Sequence, residues 1–203
     1  MSLISLKSRL TKNTDEFERY LSSDQSLIFS SSDHEEEWSI ELTVGRLWGN
    51  VSKESPVAMY EVHEDVGIPA KSSVIIEVNE ELRIPNNIYG LIVPKGSLLL
   101  DNGILMATTK IEPRYFGKLR ILFFNTTNRK KTLNKGSVIA STIFFRTDIT
   151  LASQQPRTRK DVVATQPSFI KSFFDFSKVN YQWFFTTLIA LAALIVSIWG
   201  GNS

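Results

Sequence analysis

The chain has 203 residues, a formal net charge of +2, two histidines and no cysteine. A charge so close to zero argues against a nucleic-acid-binding protein. The lack of cysteine excludes disulfides, iron–sulfur clusters and thiol catalysis, and with two histidines we assign no metal site.

Residues 1–32 combine apolar positions with charges. The apolar residues are Leu3, Ile4, Leu10, Phe17, Tyr20 and Leu21. Their spacing favours an amphipathic helix in the first twenty positions, packed on the domain and followed by a Ser-rich turn. The acidic run 33–37 is more typical of a solvated turn than of a metal site.

Residues 33–150 predict one β domain. Five apolar runs have the composition of strands: WSIELTVG, SVIIEV, IYGLIV, KLRILFFN and SVIASTIFF. Turn signals separate them, at Ile68-Pro69, Pro85-Asn86-Asn87, Asn102-Gly103 and Lys135-Gly136. This spacing is typical of an all-β barrel or sandwich. Because several runs are almost continuously apolar, a second sheet or neighbouring subunits must cover both of their faces.

Residues 151–180 predict a connection between this domain and the tail. Residues 151–167 are polar and contain two prolines, which is typical of a linker. The following segment, SFIKSFFDFSKV, sets aromatic side chains beside charges and predicts a short helix in the membrane interface. Packing of the same aromatic side chains on the barrel is the alternative.

Residues 181–199, YQWFFTTLIALAALIVSIW, predict a single-pass transmembrane helix. As a helix this uncharged stretch is about 28 Å long, close to the thickness of one hydrocarbon core. Lys171 and Lys178 precede it and no positive charge follows, so we expect the N-terminal domain to be cytoplasmic and the tail to contact membrane lipid. A buried core helix is the alternative, but such helices are usually shorter and end in polar caps.

Four segments occur in a fixed order: SIELTVG (39–45), IPNNIYGLIVPKGSLLLDNGI (84–104), IEPRYFGKLRILFFN (111–125) and NKGSVIASTIFF (134–145). Together they resemble the dUTPase and dCTP deaminase superfamily. The resemblance implies a dUTPase-like β-barrel that assembles as a homotrimer, with nucleotide sites between subunits. The glycines of these segments fall where turns need positive φ or close backbone approach.

The third segment implies two site residues. Glu112 matches the carboxylate with which the diphosphatases of the superfamily orient the attacking water, and Tyr115 matches the ring that packs on the deoxyribose. Leu122 stands where the deaminases carry a glutamate that transfers protons. An apolar side chain cannot transfer a proton, so we expect no deamination.

Lys95, Gly96 and Ser97 match the phosphate-binding segment, and Ser141 matches a position that is glutamine in many relatives. Lysine replaces a bidentate guanidinium group with a point charge. The hairpin between Gly103 and Glu112 is shorter than is usual in the superfamily, and the residues after the barrel contain no glycine-rich arm. Mg²⁺ bridging the phosphates of a bound nucleotide is the one cofactor that the resemblance implies.

These departures predict a membrane-anchored, catalytically impaired module that binds or senses a deoxynucleotide or another nucleotide. Its trimer would gather three tail helices, which would suit a signalling or phage-defence effector. Two alternatives stay open. One is an active dUTP or dNTP diphosphatase tethered to the membrane, with Glu112 as its catalytic carboxylate. The other is a structural scaffold without nucleotide, in which Glu112 and Lys95 form ion pairs or turns at the trimer interface.

Overall fold

The computed structural model describes residues 2–20, 27–51 and 57–147, and in the tail residues 186, 189 and 190. The strands of this part of the chain are β1 (Ser2–Leu3), β2 (Leu10–Thr11), β3 (Ile28–Ser30), β4 (Ile40–Asn50), β5 (Tyr60–Glu61), β6 (Asp65–Ile68), β7 (Ser73–Arg83), β8 (Ile88–Pro94), β9 (Ile104–Met106), β10 (Thr109–Ile111), β11 (Phe116–Asn125), β12 (Lys131–Asn134) and β13 (Val138–Arg146). The helices α1 (Thr14–Arg19) and α2 (Gly96–Leu100) are short. The mainly β class is therefore confirmed.

The five apolar runs of the sequence all form strands, namely β4, β7, β8, β11 and β13. The predicted turns also separate strands. Gly103 and Gly136 have φ angles of 65° and 75°, in the left-handed region that glycine adopts without a steric penalty. Local composition was therefore sufficient to locate the main strands.

Among the described residues, eleven strands form one sheet, in which the longest path runs β10-β8-β13-β4-β7-β11-β9. Its two end strands, β9 and β10, are consecutive in the chain and are separated by residues 107 and 108 alone. Such a link spans roughly 11 Å at most, so the two ends of the path lie side by side. The sheet therefore curls into a barrel.

The core of the barrel follows from alternation along the strands. On β11, Leu119, Ile121 and Phe123 point inward and are at most 6% exposed. Ile111 of β10 and Met106 of β9 belong to the same buried cluster, although they come from opposite ends of the strand path. One core thus holds both ends of the sheet together.

The N-terminal segment corrects a prediction. The amphipathic helix expected in the first twenty positions is wrong for most of them, because helix α1 covers Thr14–Arg19 alone. Its start is fixed by Asn13, whose Oδ1 accepts hydrogen bonds from the backbone N–H groups of Asp15 and Glu16. Before it, the chain adds strand β1 to β13, turns at residues 7–9 and adds strand β2 to β3.

The acidic run 33–37 lies in a largely exposed turn, as predicted. Lys12 Nζ contacts Asp33 Oδ1 at 2.9 Å and ties this turn to the N-terminal segment. This hydrogen bond lowers the pKa of the Asp33 carboxyl and raises the pKa of Lys12. Both side chains are exposed, so the pair is screened by solvent.

The predicted linker, the interfacial helix and nearly all of the predicted membrane span lie outside the described residues. Among the helices that the structure does describe, none combines the length and apolar character needed to cross a membrane.

Candidate functional site

Glu112 and Tyr115 lie on a tight turn that joins β10 to β11. The backbone N–H of Tyr115 donates to the carbonyl of Glu112 at 3.1 Å, and Arg114 between them has a φ of 63°. Two further backbone bonds hold the turn against the end of β7. Arg114 N donates to Ile84 O at 3.0 Å, and Ile84 N donates to Tyr115 O at 2.9 Å. The turn is therefore fixed on a rigid strand.

A pocket of about 310 Å³ opens beside this turn. It is lined by Thr109, Lys110, Glu112, Pro113 and Tyr115. The Tyr115 hydroxyl donates to the carbonyl of Lys118 at 2.7 Å, and the side chain packs against the buried core. Two of the residues implied by the resemblance thus line one pocket, and the orientation of the tyrosine ring is set by its own contacts.

The Glu112 carboxylate has a charged neighbour that the motif does not reveal. Lys110 Nζ lies 3.1 Å from Glu112 Oε1, and the two side chains are 57% and 38% exposed. Residues two apart on an extended strand share a face, so the pairing was visible in the sequence as Lys-Ile-Glu. The pocket therefore contains a lysine–glutamate ion pair, and sequence reasoning missed the lysine.

Lys95, Gly96 and Ser97 follow the end of β8 and begin helix α2, for which Lys95 is the N-cap residue. All three are exposed, and the space around Gly96 is open. Ser141 lies opposite Val93, two residues before Lys95, in the pairing of β13 with β8. The structure thus places Ser141 near the Lys95 segment.

Within one chain, the Lys95 segment and Ser141 do not line the pocket beside Glu112. Ile111, next to Glu112, lies opposite Gly90, whereas Pro94 is four residues further along β8. Four strand residues span about 13 Å. The Lys95 segment and Glu112 therefore lie at opposite ends of the β8–β10 pair.

Leu122, at the deaminase glutamate position, has an apolar strand neighbour. It pairs with Ile75 of β7, and its carbonyl accepts the N–H of Ala107, in the link between β9 and β10. Among the described residues, no group of three or more His, Asp or Glu side chains is close enough to hold a metal ion.

Solved structures share this barrel. The dCTP deaminase of Agrobacterium tumefaciens superposes with a TM-score of 0.50 over 70% of this chain and 46% of its own, at 16% identity. At that identity the similarity establishes the fold. The fold is thus a dCTP deaminase-like β-barrel.

Sequence comparison specifies the family. A model of the dUTPase family matches residues 58–172, which is more than half of the chain. The protein belongs to the dUTPase family.

Two curated relatives are similar to part of the chain. The deoxyuridine 5′-triphosphate nucleotidohydrolase of Paramecium bursaria Chlorella virus 1 is 35% identical over 80 residues, which are 39% of this chain and 57% of the relative. The dCTP deaminase of Acinetobacter baylyi is 33% identical over 89 residues, 43% of this chain and 47% of the relative. The chain thus spans about half the length of the curated relatives it matches.

Proposed function

We propose that this protein binds a deoxynucleoside triphosphate at a site shared between copies of the chain and turns it over poorly. The observation that carries the proposal is that Glu112 and Tyr115 line one pocket within the residues that the dUTPase family matches. At about 310 Å³ the pocket is at the lower end of the sizes of ligand sites. It suits a nucleoside, with the phosphates bound outside it.

The phosphates would then be held by the Lys95 segment of a neighbouring copy. Within one chain, Lys95 and Glu112 lie at opposite ends of the β8–β10 pair, and Lys95 does not line the pocket beside Glu112. We therefore propose a homotrimer. In it, the Lys95 segment of each subunit would meet Glu112 of a neighbouring subunit, which gives three sites.

Exposed apolar side chains support this assembly. Leu99 and Leu100 of α2 are 44% and 84% exposed. Leu105 and Phe124 lie opposite one another in the pairing of β9 with β11, and both are partly exposed. Neighbouring exposed apolar side chains mark interaction sites. Sedimentation of the full chain in mild detergent tests the trimer.

We propose weak turnover because two positions that match functional residues of the superfamily carry different side chains here. Lys95 offers a point charge in place of a guanidinium fork, and Leu122 removes the means of deamination. Mg²⁺ would bridge the phosphates of the ligand. The oxygen ligands of the ion would come mainly from these phosphates.

We also propose that residues 181–199 anchor the protein in a membrane, with the barrel on the cytoplasmic side. The uncharged sequence and the lysines before it support this arrangement. Flotation of the full chain with lipid vesicles, compared with a chain ending at residue 165, tests the anchor.

The first prediction is that the full chain binds dUTP or another dNTP and hydrolyses it slowly. Saturation at 100 times the Kd should add about 2.7 kcal/mol to the stability of the protein. The measurements are the thermal midpoint across a panel of dNTPs with Mg²⁺, and product formation by chromatography.

Glu112→Gln distinguishes the alternatives. Rapid turnover that this substitution abolishes would contradict the impaired enzyme and favour an active diphosphatase. If no nucleotide shifts the midpoint at millimolar concentration, the protein is a scaffold without nucleotide.

A second prediction concerns Lys95. Lys95→Ala should weaken binding of the hydrolysis-resistant dUTP analogue dUpNHpp by roughly 10- to 150-fold, because one charge-assisted phosphate contact is lost. Arg114→Ala should change the affinity less, because Arg114 lies on the nucleoside side of the proposed site and its Nε atom is buried. Calorimetric titration measures both. If Arg114→Ala abolishes binding while Lys95→Ala binds normally, the phosphate site is not at Lys95.

A further inference from the structure

The ion pair between Lys110 and Glu112 lies within the pocket rather than beside it. Both residues line the cavity, and their charged atoms are 3.1 Å apart. Of the five lining residues, Lys110 is the cation and Glu112 is the anion. The net charge that the pocket wall presents to a ligand therefore depends on this pair.

We propose that Lys110 lets the pocket accept the nucleoside end of an anionic nucleotide, whose phosphates lie just outside it, by compensating the charge of Glu112. The proposal deepens the nucleotide-binding function above and depends on it. A nucleotide carries several negative charges on its phosphates. A lone carboxylate in the wall would repel them, and like charges brought together oppose binding strongly. With the ammonium group beside it, Glu112 can stay in the site without that repulsion.

The pair is not needed to hold the fold. The lysine side chain is exposed and the glutamate side chain is partly exposed, and ion pairs near the surface contribute little to stability. Strand β10 has three residues and lies at the end of the strand path, so Lys110 does not support a central strand. Removing the lysine charge should therefore leave a folded barrel in which the change in binding can be measured.

A double-mutant cycle in the full chain tests the proposal. The four proteins are the parent, Lys110→Met, Glu112→Gln and the double variant, each titrated with dUpNHpp. Lys110→Met should bind about 10-fold more weakly, because the lysine charge that offsets the carboxylate is removed. The double variant should return to within about 3-fold of the parent, because neither charge remains.

Two controls separate charge compensation from a change of shape. Deoxyuridine carries no phosphate, so its affinity should be the same for the parent and Lys110→Met. Lys118→Met removes an exposed lysine that does not line the pocket, and it should bind dUpNHpp like the parent.

Each other outcome overturns the proposal. If Lys110→Met binds dUpNHpp like the parent, the pair does not influence the ligand. If the double variant is as weak as Lys110→Met, the lysine contacts the phosphate directly and does not act through Glu112. If the folded parent itself binds no nucleotide, the proposed function fails, and this inference fails with it.

Discussion

Replacing Arg120 with methionine should lower the free energy of unfolding by about 3–5 kcal/mol. Arg120 on β11 donates from Nε and Nη2 to Glu77 Oε2 on β7, at 3.1 and 3.0 Å. Both side chains are 8% exposed. Without the guanidinium group, the Glu77 carboxylate would be buried with its main cation gone. Urea unfolding at a fixed protein concentration measures the loss.

An exposed pair provides the matched control. Lys12 and Asp33 lie at a similar distance, 2.9 Å, but their side chains are 54% and 89% exposed. Lys12→Met should therefore unfold at nearly the same urea concentration as the parent, because solvent screens this exposed pair. The Arg120→Met, Glu77→Leu double variant should regain most of the lost stability, because it removes the buried charge as well. A single Arg120→Met variant as stable as the parent would contradict the argument.

This ion pair also shows what sequence reasoning could not reach. Arg120 and Glu77 are 43 positions apart, and the register of β11 against β7 decides that they lie opposite one another. That register includes an irregularity between Lys118 and Arg120. Strand composition gives the location of a strand, but it does not give its partner or its bulges.

The helix predicted at the N-terminus was wrong for a different reason. The apolar spacing there fits a helix when it is counted over twenty positions, but Ile4 and Leu6 are both buried and lie two residues apart. A period of two is the pattern of a strand, and here it continues directly after β1, where Ile4 N donates to Phe144 O. In a short segment the two periods cannot be told apart, and pairing with β13 and β3 decides the outcome.

The candidate site, too, was predicted from the sequence only in part. Glu112 and Tyr115 were found because the sequence resembles a family, and the structure places them on one pocket. The resemblance did not indicate Lys110, because this residue lies outside the four segments that resemble the family. The separation of Lys95 from Glu112 depends on the pairing of β8 with β10, which is a property of the fold.

Asn125 is the other position at which one substitution should have a large effect. It is 2% exposed, at the end of β11. Its Nδ2 atom donates to three backbone carbonyls, those of Ile68 at 3.0 Å, Pro69 at 3.1 Å and Arg129 at 2.7 Å. Its Oδ1 atom accepts from both the N–H and the hydroxyl of Thr127. One amide therefore joins two loop segments, 68–69 and 127–129, at this end of the barrel.

Asn125→Asp should lower the free energy of unfolding by about 3–5 kcal/mol at neutral pH, because a buried carboxylate would face three carbonyl oxygens with no proton to donate. The loss should shrink as the pH falls, since a protonated carboxyl can donate one hydrogen bond. Asn134→Asp, at an exposed position on β12, should change stability by less than about 0.5 kcal/mol and provides the control. Urea unfolding at several pH values measures both variants. Equal stability of Asn125→Asp and Asn134→Asp would show that the Asn125 hydrogen bonds do not hold these loops together.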